Sequence, residues 1–248
     1  MDIPRQFVIR ESNHRIHDPF SPEKLAVLGQ ALRMEPGTRV LDLGCGSGEM
    51  LATWARDHGI GGVGVDLSPD FLAGAEARAA ELGVADRVRF VHADAATYAA
   101  EEVFDVACCL GATWVGNGPL GTIDLLERSL RPGGLVLIGE PFWLRTPPSE
   151  EVVRGSGATS VDEFRHLPEL VAAFQGHGWD LVEMVLCDQD DWDRYTTPQW
   201  LNLRRWLDAN PDDELYDELR AELDTAPLDH VRYTREYLGW GVFVLLKR

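Results

Sequence analysis

The chain of 248 residues contains only two lysines, Lys24 and Lys247, and each lies near one end. The Gly-Lys-Ser/Thr run with which a P-loop holds nucleotide phosphates does not occur in the sequence. None of the five tyrosines is followed four residues later by a lysine, which is the spacing that short-chain dehydrogenases require. A pyridoxal Schiff base would have to form on one of the two badly placed lysines. The sequence therefore disfavours all three classes of enzyme.

Positive charge is scarce in the chain as a whole. Lysine and arginine together number 23 against 41 acidic residues, which gives a formal net charge of −18. Such a field repels phosphate backbones and anionic lipid headgroups. We therefore expect neither nucleic acid nor a membrane surface as a partner.

Long apolar runs and paired cysteines are also missing. No stretch of 18 apolar residues occurs, and the first residues lack the uninterrupted apolar core of a signal peptide. The cysteines show no C-x-x-C spacing; they are Cys45, Cys108, Cys109 and Cys187. These features favour a reducing compartment, and we expect a cytoplasmic protein.

From residue 39 onward, short β-branched apolar runs alternate with longer amphipathic segments. The strands predicted in this part of the chain are 39–44, 61–67, 88–94, 104–111 and 134–140. The intervening helices are predicted at 46–59 with Ser47 as N-cap, from Ser68-Pro69 to Gly83, and up to residue 130. This alternation is typical of repeated βαβ units around a parallel sheet.

The pattern changes after Glu140. Residues 141–158 contain three prolines and no steady period, which predicts a loop that acts as a lid. Ser160 and Glu163 form a capping-box pattern for a helix that runs to Phe174. A sixth strand is predicted at 179–187, then two helices opened by Pro198 and Pro211, and a last strand at 239–248.

Three features stand where the first three predicted strands end, which is the edge at which open α/β sheets bind ligands. The first is the glycine loop Gly44-Cys45-Gly46-Ser47-Gly48, whose backbone can approach a ligand closely. The second is Asp66, which could accept both hydroxyls of a ribose. The third is Asp94, which could accept from an adenine amino group while Ala95 donates its backbone N–H.

The glycine spacing, preceded by Asp42, differs from the dinucleotide fingerprint G-x-G-x-x-G. The run VLDLGCGSGEM resembles motif I of the class I S-adenosylmethionine-dependent methyltransferases. Asp66 resembles their ribose-binding acid, Asp94 resembles their adenine contact, and LRPGGLVLIGE resembles their post-motif segment. The resemblance covers residues 38–140, where four motifs occur in order at the spacing of the family.

The resemblance implies a Rossmann-like α/β fold. In it, seven mostly parallel strands end in an antiparallel one, helices cover both faces, and a helical cap is inserted between strands six and seven. It implies S-adenosylmethionine as cofactor, S-adenosylhomocysteine as product, and a set of cofactor-binding residues: Asp42, Gly44, Cys45, Gly46, Gly48, Asp66, Leu67, Asp94, Ala95, Leu110 and Gly111. The N-terminal run FVIRESNHRIHDPFSPEKLAVLGQAL is similar to that of uncharacterised bacterial methyltransferases of the ubiquinone-biosynthesis-like type.

We expect one domain made of five segments. They are an N-terminal cover arm and helix (1–36), a cofactor-binding half (37–140), a lid loop with helix and strand six (141–187), a helical cap (188–236) and the last strand (237–248).

Methyl transfer is an in-line displacement, so the protein supplies alignment, a dry pocket and, where the acceptor loses a proton, a base. The candidates for that base are His14, His17 and Glu140; the alternative role of the histidines is as helix caps or solvated groups, and that of Glu140 is as a carboxylate that caps a local turn. The candidate acceptor-pocket residues are Trp114, Trp143, Tyr195 and Arg204.

The acceptor is expected to be a small molecule methylated on oxygen, nitrogen or carbon. No metal is expected, because Leu110-Gly111-Ala112 stands where catechol-type methyltransferases carry a metal-binding aspartate. Two other functions remain open: a protein that binds the cofactor without methyl transfer, and an NAD-dependent oxidoreductase. A monomer and a homodimer are equally compatible with the sequence.

Overall fold

A computed structural model describes residues 3–248. A seven-stranded sheet lies at its centre, in the order β3-β2-β1-β4-β5-β7-β6. The strands are β1 Arg39–Leu43, β2 Gly61–Asp66, β3 Val88–His92, β4 Phe104–Leu110, β5 Leu130–Trp143, β6 Trp179–Leu186 and β7 Leu238–Lys247. Strands β1 to β5 pair in parallel, whereas β7 is antiparallel to both of its neighbours, β5 and β6. The expected fold class is therefore confirmed.

Ten helices connect and flank these strands within residues 3–248. Their bounds are α1 Arg5–Arg10, α2 Pro22–Ala31, α3 Glu49–His58, α4 Pro69–Glu81, α5 Pro119–Glu127, α6 Glu150–Gly155, α7 Leu167–Gly176, α8 Gln189–Ala209, α9 Tyr216–Asp229 and α10 Arg235–Tyr237. Short 3-10 turns occur at Thr113–Gly116 and Val161–Glu163, and a π-helical turn occurs at His230–Thr234. Across the described residues, no helix is both long and apolar enough to cross a bilayer.

The core consists of two apolar layers, one on each face of the sheet. Strand β4 shows the division, because Val106 and Cys108 face the layer under α2 and α3, while Ala107 and Cys109 face the layer under α5 and α7. A strand buried on both faces has a continuous apolar sequence, which explains the run VACCL. The adjacent cysteines therefore point to opposite faces of the sheet.

The start of α3 differs from the expectation. Ser47 was expected to cap this helix, but the helix begins at Glu49, and Gly48, in a left-handed conformation, is its N-cap. The Ser47 hydroxyl instead lies 2.9 Å from Nε2 of His17. The Ser47 hydroxyl thus interacts with a residue of a distant segment and does not cap the helix.

Strand β5 is longer than its sequence pattern indicates. It begins at Leu130, where a helix end was expected, and continues to Trp143, which the pattern assigned to a loop. Its extra residues 141–143 pair with β7, and Leu130 at the other end pairs with Phe104 of β4. The expected loop 141–158 also contains helix α6, whose N-cap Ser149 accepts the N–H of Val152.

The prediction of a capping box at Ser160 and Glu163 was also wrong. The Glu163 carboxylate accepts the N–H of Thr159 at 2.6 Å, and only a single 3-10 turn follows. Helix α7 starts later, at Leu167, where Glu169 accepts the backbone N–H of His166.

The two helices expected to start at Pro198 and Pro211 are also placed differently. Helix α8 is continuous from Gln189 to Ala209 and contains Pro198 in its interior. Asp188 caps it by accepting the N–H groups of Asp190 and Asp191. Helix α9 begins at Tyr216, five residues after Pro211. Both helices pack against α1 through an apolar cluster that contains Ile9, Leu203, Leu207 and Leu219.

Candidate active site

The glycine loop after β1 forms the floor of the site. Gly44, Gly46 and Gly48 have φ angles of +79°, +50° and +66°, a region that side chains disfavour. A Cβ on Gly46 would lie 2.5 Å from Cδ2 of His17, so the loop also needs glycine there for space. Gly48 points away from the site, because Phe90 and Ala75 lie against it.

Asp66, the last residue of β2, fixes the loop. Its side chain is buried, with 7% exposed, and Oδ2 accepts the N–H of Gly46 at 2.8 Å. Its other oxygen, Oδ1, accepts the N–H of Ser68, also at 2.8 Å. A carboxylate oxygen has a second lone pair, so Asp66 keeps acceptor capacity for ligand hydroxyls.

Two cavities meet above the loop. The first, the Asp66 cavity, comprises about 600 Å³, partly open to solvent, and is lined by Asp66, Leu67, Ala95, Gly111 and Trp114 below, and by Phe7 and Phe71 above. The second, the Asp42 cavity, comprises about 480 Å³, also partly open, and is lined by Asp42, Cys45, Glu49, Met50 and Phe20. Five residues line both cavities: His17, Asp18, Gly44, Gly46 and Leu110. The groove is therefore continuous along the carboxyl edge of the sheet.

Asp42 and Asp94 were both predicted to bind the cofactor, but only Asp42 lines the groove. Asp42 is buried in the wall of its cavity, and burial together with the nearby Asp66 and Asp18 carboxyls raises its pKa to about 8. Asp94 caps a local turn, because its Oδ1 accepts the N–H of Ala96 at 2.9 Å. Ala95, rather than the Asp94 carboxyl, lines the Asp66 cavity.

An N-terminal segment covers the groove. The His17 ring packs on the Phe71 ring, with centroids 4.3 Å apart and planes tilted by 32°. Its Nε2 contacts the Ser47 hydroxyl, and its Nδ1 lies 3.2 Å from Oε2 of Glu11. Both nitrogens of His17 therefore have partners, which is the geometry of a group that holds the cover in place.

Glu11 fastens this cover to α8. Its carboxylate is 1% exposed, and Oε1 accepts from the Tyr195 hydroxyl at 3.0 Å and from the Gln199 amide at 2.9 Å. His14 adds a further link, because its Nε2 donates to the Tyr195 carbonyl at 2.8 Å. Its Nδ1 is buried, has no hydrogen-bond partner among residues 3–248, and lies 3.6 Å from Oε2 of Glu11. Tyr195 therefore lies in the anchor of the cover, and burial next to Glu11 raises the pKa of its hydroxyl.

The other candidate residues lie at the rim or outside the groove. Glu140 is buried beside the end of β4, where the Thr113 hydroxyl donates to its Oε2 at 2.6 Å, and burial raises its pKa to about 7. Trp114 is at the rim, with 55% of its surface exposed. Trp143 is buried, and its Nε1 donates to the Val161 carbonyl. Arg204 is exposed and pairs with Asp208 on the same helix.

Asp18 was not singled out from the sequence, although its carboxyl lies between the two cavities. It lies so close to Gly111 that a Cβ on that glycine would overlap Oδ1 of Asp18. No motif marks this residue, since its position depends on contacts of the N-terminal segment with distant helices. Across residues 3–248, no cluster of three histidine, cysteine or acidic side chains is placed to hold a metal ion.

Comparison with known proteins places this geometry in a family. Residues 40–134 match the model of a methyltransferase domain. The crystal structure of an S-adenosylmethionine-dependent methyltransferase from Geobacter sulfurreducens in complex with S-adenosylhomocysteine is 63% identical. It covers 100% of this chain and 99% of its own, with a TM-score of 0.97.

Two sequence relatives extend the comparison. The uncharacterized protein YjhP of Escherichia coli is 58% identical over 248 residues, which is 100% of both proteins. A ubiquinone biosynthesis O-methyltransferase of Psychrobacter cryohalolentis is 31% identical over 134 residues, 52% of this chain and 49% of that protein. The chain belongs to the S-adenosylmethionine-dependent methyltransferases. The expected family is thus confirmed, and the NAD-dependent oxidoreductase is set aside.

Proposed function

We propose that the protein transfers the methyl group of S-adenosylmethionine to an oxygen, nitrogen or carbon atom of a small molecule, without a metal ion. The observation that carries this proposal is the covered groove that runs from Asp66 to Asp42 over the glycine loop. It is supported by the Geobacter sulfurreducens relative, whose structure contains S-adenosylhomocysteine.

The groove fits the cofactor in shape and chemistry. The Asp66 cavity offers a carboxylate for ribose hydroxyls and apolar walls, Leu67 and Ala95, for the faces of an adenine. The Asp42 cavity offers a carboxylate that can face an ammonium group. Gly44, Gly46, Leu110 and Gly111 lie between these ends. When bound, the cofactor supplies an electrophilic methyl group on a sulfonium.

The residues of this chain contribute alignment and the exclusion of water. Phe7, His17 and Phe71 form an aromatic roof over the groove, and α1 holds that roof against α8. A displacement between two bound molecules is accelerated mainly by holding them in line in a dry site. We place this work in one catalytic domain, with residues 188–236 as the cap that anchors the roof.

The cover over the groove and the net charge of the chain support a small acceptor. The roof restricts access to the groove, and the net charge of −18 disfavours polyanions such as nucleic acid. All four cysteines are free thiols, in agreement with the proposed cytoplasmic location.

Thermal unfolding with added ligands tests the proposal. A ligand at 100 times its dissociation constant raises the unfolding midpoint by roughly 5–10 °C for a domain of this size. We expect this shift with S-adenosylmethionine and S-adenosylhomocysteine but not with NAD. The protein should then release S-adenosylhomocysteine when supplied with members of a panel of phenols, amines and carboxylic acids. A shift with NAD alone would contradict the proposal.

A further inference from the structure

A third cavity opens beside the groove and meets it at Asp18. This Tyr195 cavity, part of which is open to solvent, comprises about 710 Å³ between residues 13–22 and one side of α8. Its walls combine apolar residues, Ile16, Phe20 and Pro198, with polar ones such as Tyr195 and Arg194. Asp18 is the residue that lines this cavity, the Asp66 cavity and the Asp42 cavity alike.

The Asp18 carboxyl has no counter-charge at this junction. Within residues 3–248, no ion pair or side-chain hydrogen bond involves it, and among its neighbours His17 acts to lower its pKa. The other carboxyls of the Tyr195 cavity are paired with basic side chains. Glu49 accepts two hydrogen bonds from Arg78, at 2.7 and 2.8 Å, and Asp191 pairs with Lys24 at 2.5 Å.

The position of the junction relative to the bound cofactor indicates what Asp18 would face, an argument that rests on the proposed function. S-adenosylmethionine carries its sulfonium between the adenosine and the methionyl group. With the ribose at Asp66 and the ammonium at Asp42, the sulfonium would lie where the two cavities join, near Asp18, Leu110 and Gly111. The Tyr195 cavity reaches the same place from another direction.

We propose that the Asp18 carboxylate is the counter-charge of the sulfonium, and that the acceptor reaches the methyl group through the Tyr195 cavity. In the transfer, a lone pair of the acceptor forms the new bond to the methyl carbon. The carbon–sulfur bond breaks, and its electron pair remains on sulfur as a neutral thioether. A proton that the acceptor loses passes to the Asp18 carboxylate, so the charge at the junction is the same before and after the reaction.

The groups around Asp18 support this assignment. Glu11 and His17 face it from the N-terminal segment, Asp42 from β1, Cys109 from β4, Cys187 from the end of β6 and Tyr195 from α8. Burial and the Glu11 carboxylate raise the pKa of Asp18 to about 7, while His17 opposes this. A cation bound beside Asp18 should lower this pKa and release the proton into solvent.

Calorimetric titration at pH 7 tests the proposal with two ligands that differ in charge at sulfur. Titrations of wild-type protein in two buffers of different ionisation enthalpy give the number of protons released on binding. We expect S-adenosylmethionine to release more protons than S-adenosylhomocysteine does, by up to about half a proton for a group with a pKa near the working pH. The ammonium is common to both ligands, so the response of Asp42 cancels in the difference.

The variant Asp18→Asn keeps the shape of the side chain and removes its charge. We expect it to lose the difference in proton release and to lower the preference for S-adenosylmethionine over S-adenosylhomocysteine on the order of tenfold. Glu23→Gln is the matched control, because it removes an exposed carboxylate of the following helix α2, outside the three cavities, and its preference should equal that of the wild type.

Equal proton release by the two ligands in the wild-type protein would overturn the assignment, and this measurement needs no variant. An unchanged preference in a folded Asp18→Asn protein would overturn it as well. Binding of neither ligand by the wild type would instead contradict the proposed function, so the two failures are distinguishable.

Discussion

Nε2 of His17 and Oγ of Ser47 lie 2.9 Å apart, and this contact joins the N-terminal segment to the glycine loop. Because Gly46 precedes Ser47, the imidazole lies directly over the backbone of Gly46. The roof and floor of the groove therefore meet at this point, and a change in one displaces the other.

Gly46→Ala should weaken cofactor binding at least tenfold. The added methyl group would lie 2.5 Å from the His17 ring at a φ of +50°, so both the loop and the roof must move. Isothermal titration with S-adenosylhomocysteine measures the loss. Gly133→Ala is the matched control, since Gly133 also has a positive φ, +75°, but faces open space. It should cost about 1 kcal/mol of stability and leave binding unchanged. Equal effects of both substitutions on binding would contradict the close approach of His17.

Asp66→Ala should reduce the affinity for S-adenosylmethionine by about 10- to 100-fold, because charge-assisted hydrogen bonds are worth roughly 1.5–3 kcal/mol. The substitution also frees the N–H groups of Gly46 and Ser68, so part of the loss comes from the loop. Asp86→Ala, on an exposed turn before β3, provides the control for the change in net charge. An Asp66→Ala protein that binds as tightly as the wild type would remove Asp66 from the site.

Glu11→Gln should loosen the N-terminal segment without unfolding the sheet. The Gln199 and Tyr195 donors would share a weaker, neutral acceptor, and the contact with Nδ1 of His17 would lose its charge. We expect a loss of roughly 1–3 kcal/mol in the free energy of unfolding, and faster amide exchange in residues 5–18. Glu222→Gln breaks a part-exposed ion pair that joins Arg10 of the same segment to α9 and should cost under about 1 kcal/mol. Equal exchange rates in both variants would argue against Glu11 as the anchor.

Glu140→Gln should make the stability less dependent on pH. Burial raises the folded-state pKa of Glu140 to about 7, above its usual value near 4.5. The folded protein therefore holds more protons than the unfolded chain between these values, and this contribution to stability is complete at low pH and is lost as pH rises through 7. Denaturant unfolding at pH 5 and pH 8 should show the wild type losing on the order of 2–3 kcal/mol more than the variant. The control Glu76→Gln, at an exposed position, should lose as much stability between pH 5 and pH 8 as the wild type does. An equally large loss in Glu140→Gln would show that Glu140 does not titrate in this range.

The sheet and the glycine loop could be predicted because their determinants are local. A buried parallel strand is a continuous apolar run, and the loop requires glycines at fixed positions, so both leave a pattern within a few residues. The antiparallel last strand followed from the family resemblance, and the pairing of β7 with β5 and β6 agrees with it.

The errors lie where tertiary contacts override a local signal. Pro198 has the sequence of a helix start, but the cap at Asp188 and the packing of Leu203 and Leu207 carry α8 through it. The acidic run after Asp188 was the available signal for an earlier start. Strand β5 extends to Trp143 because β7 lies beside it, which no pattern within residues 130–143 can reveal. Asp18 could not be predicted for the same reason, since contacts with a segment far along the chain determine where it lies.

The attachment of the N-terminal segment to α8 should also affect how long a bound molecule stays in the groove. Hydrogen bonds from Tyr195 and Gln199 to Glu11, and from Asn202 to the Arg10 carbonyl, hold the roof above the groove. We expect a cofactor molecule beneath that roof to depart when these bonds open, so that its residence time follows the opening of the segment rather than the strength of its own contacts. The rate of repeated turnover then depends on the contacts that α8 makes with the segment.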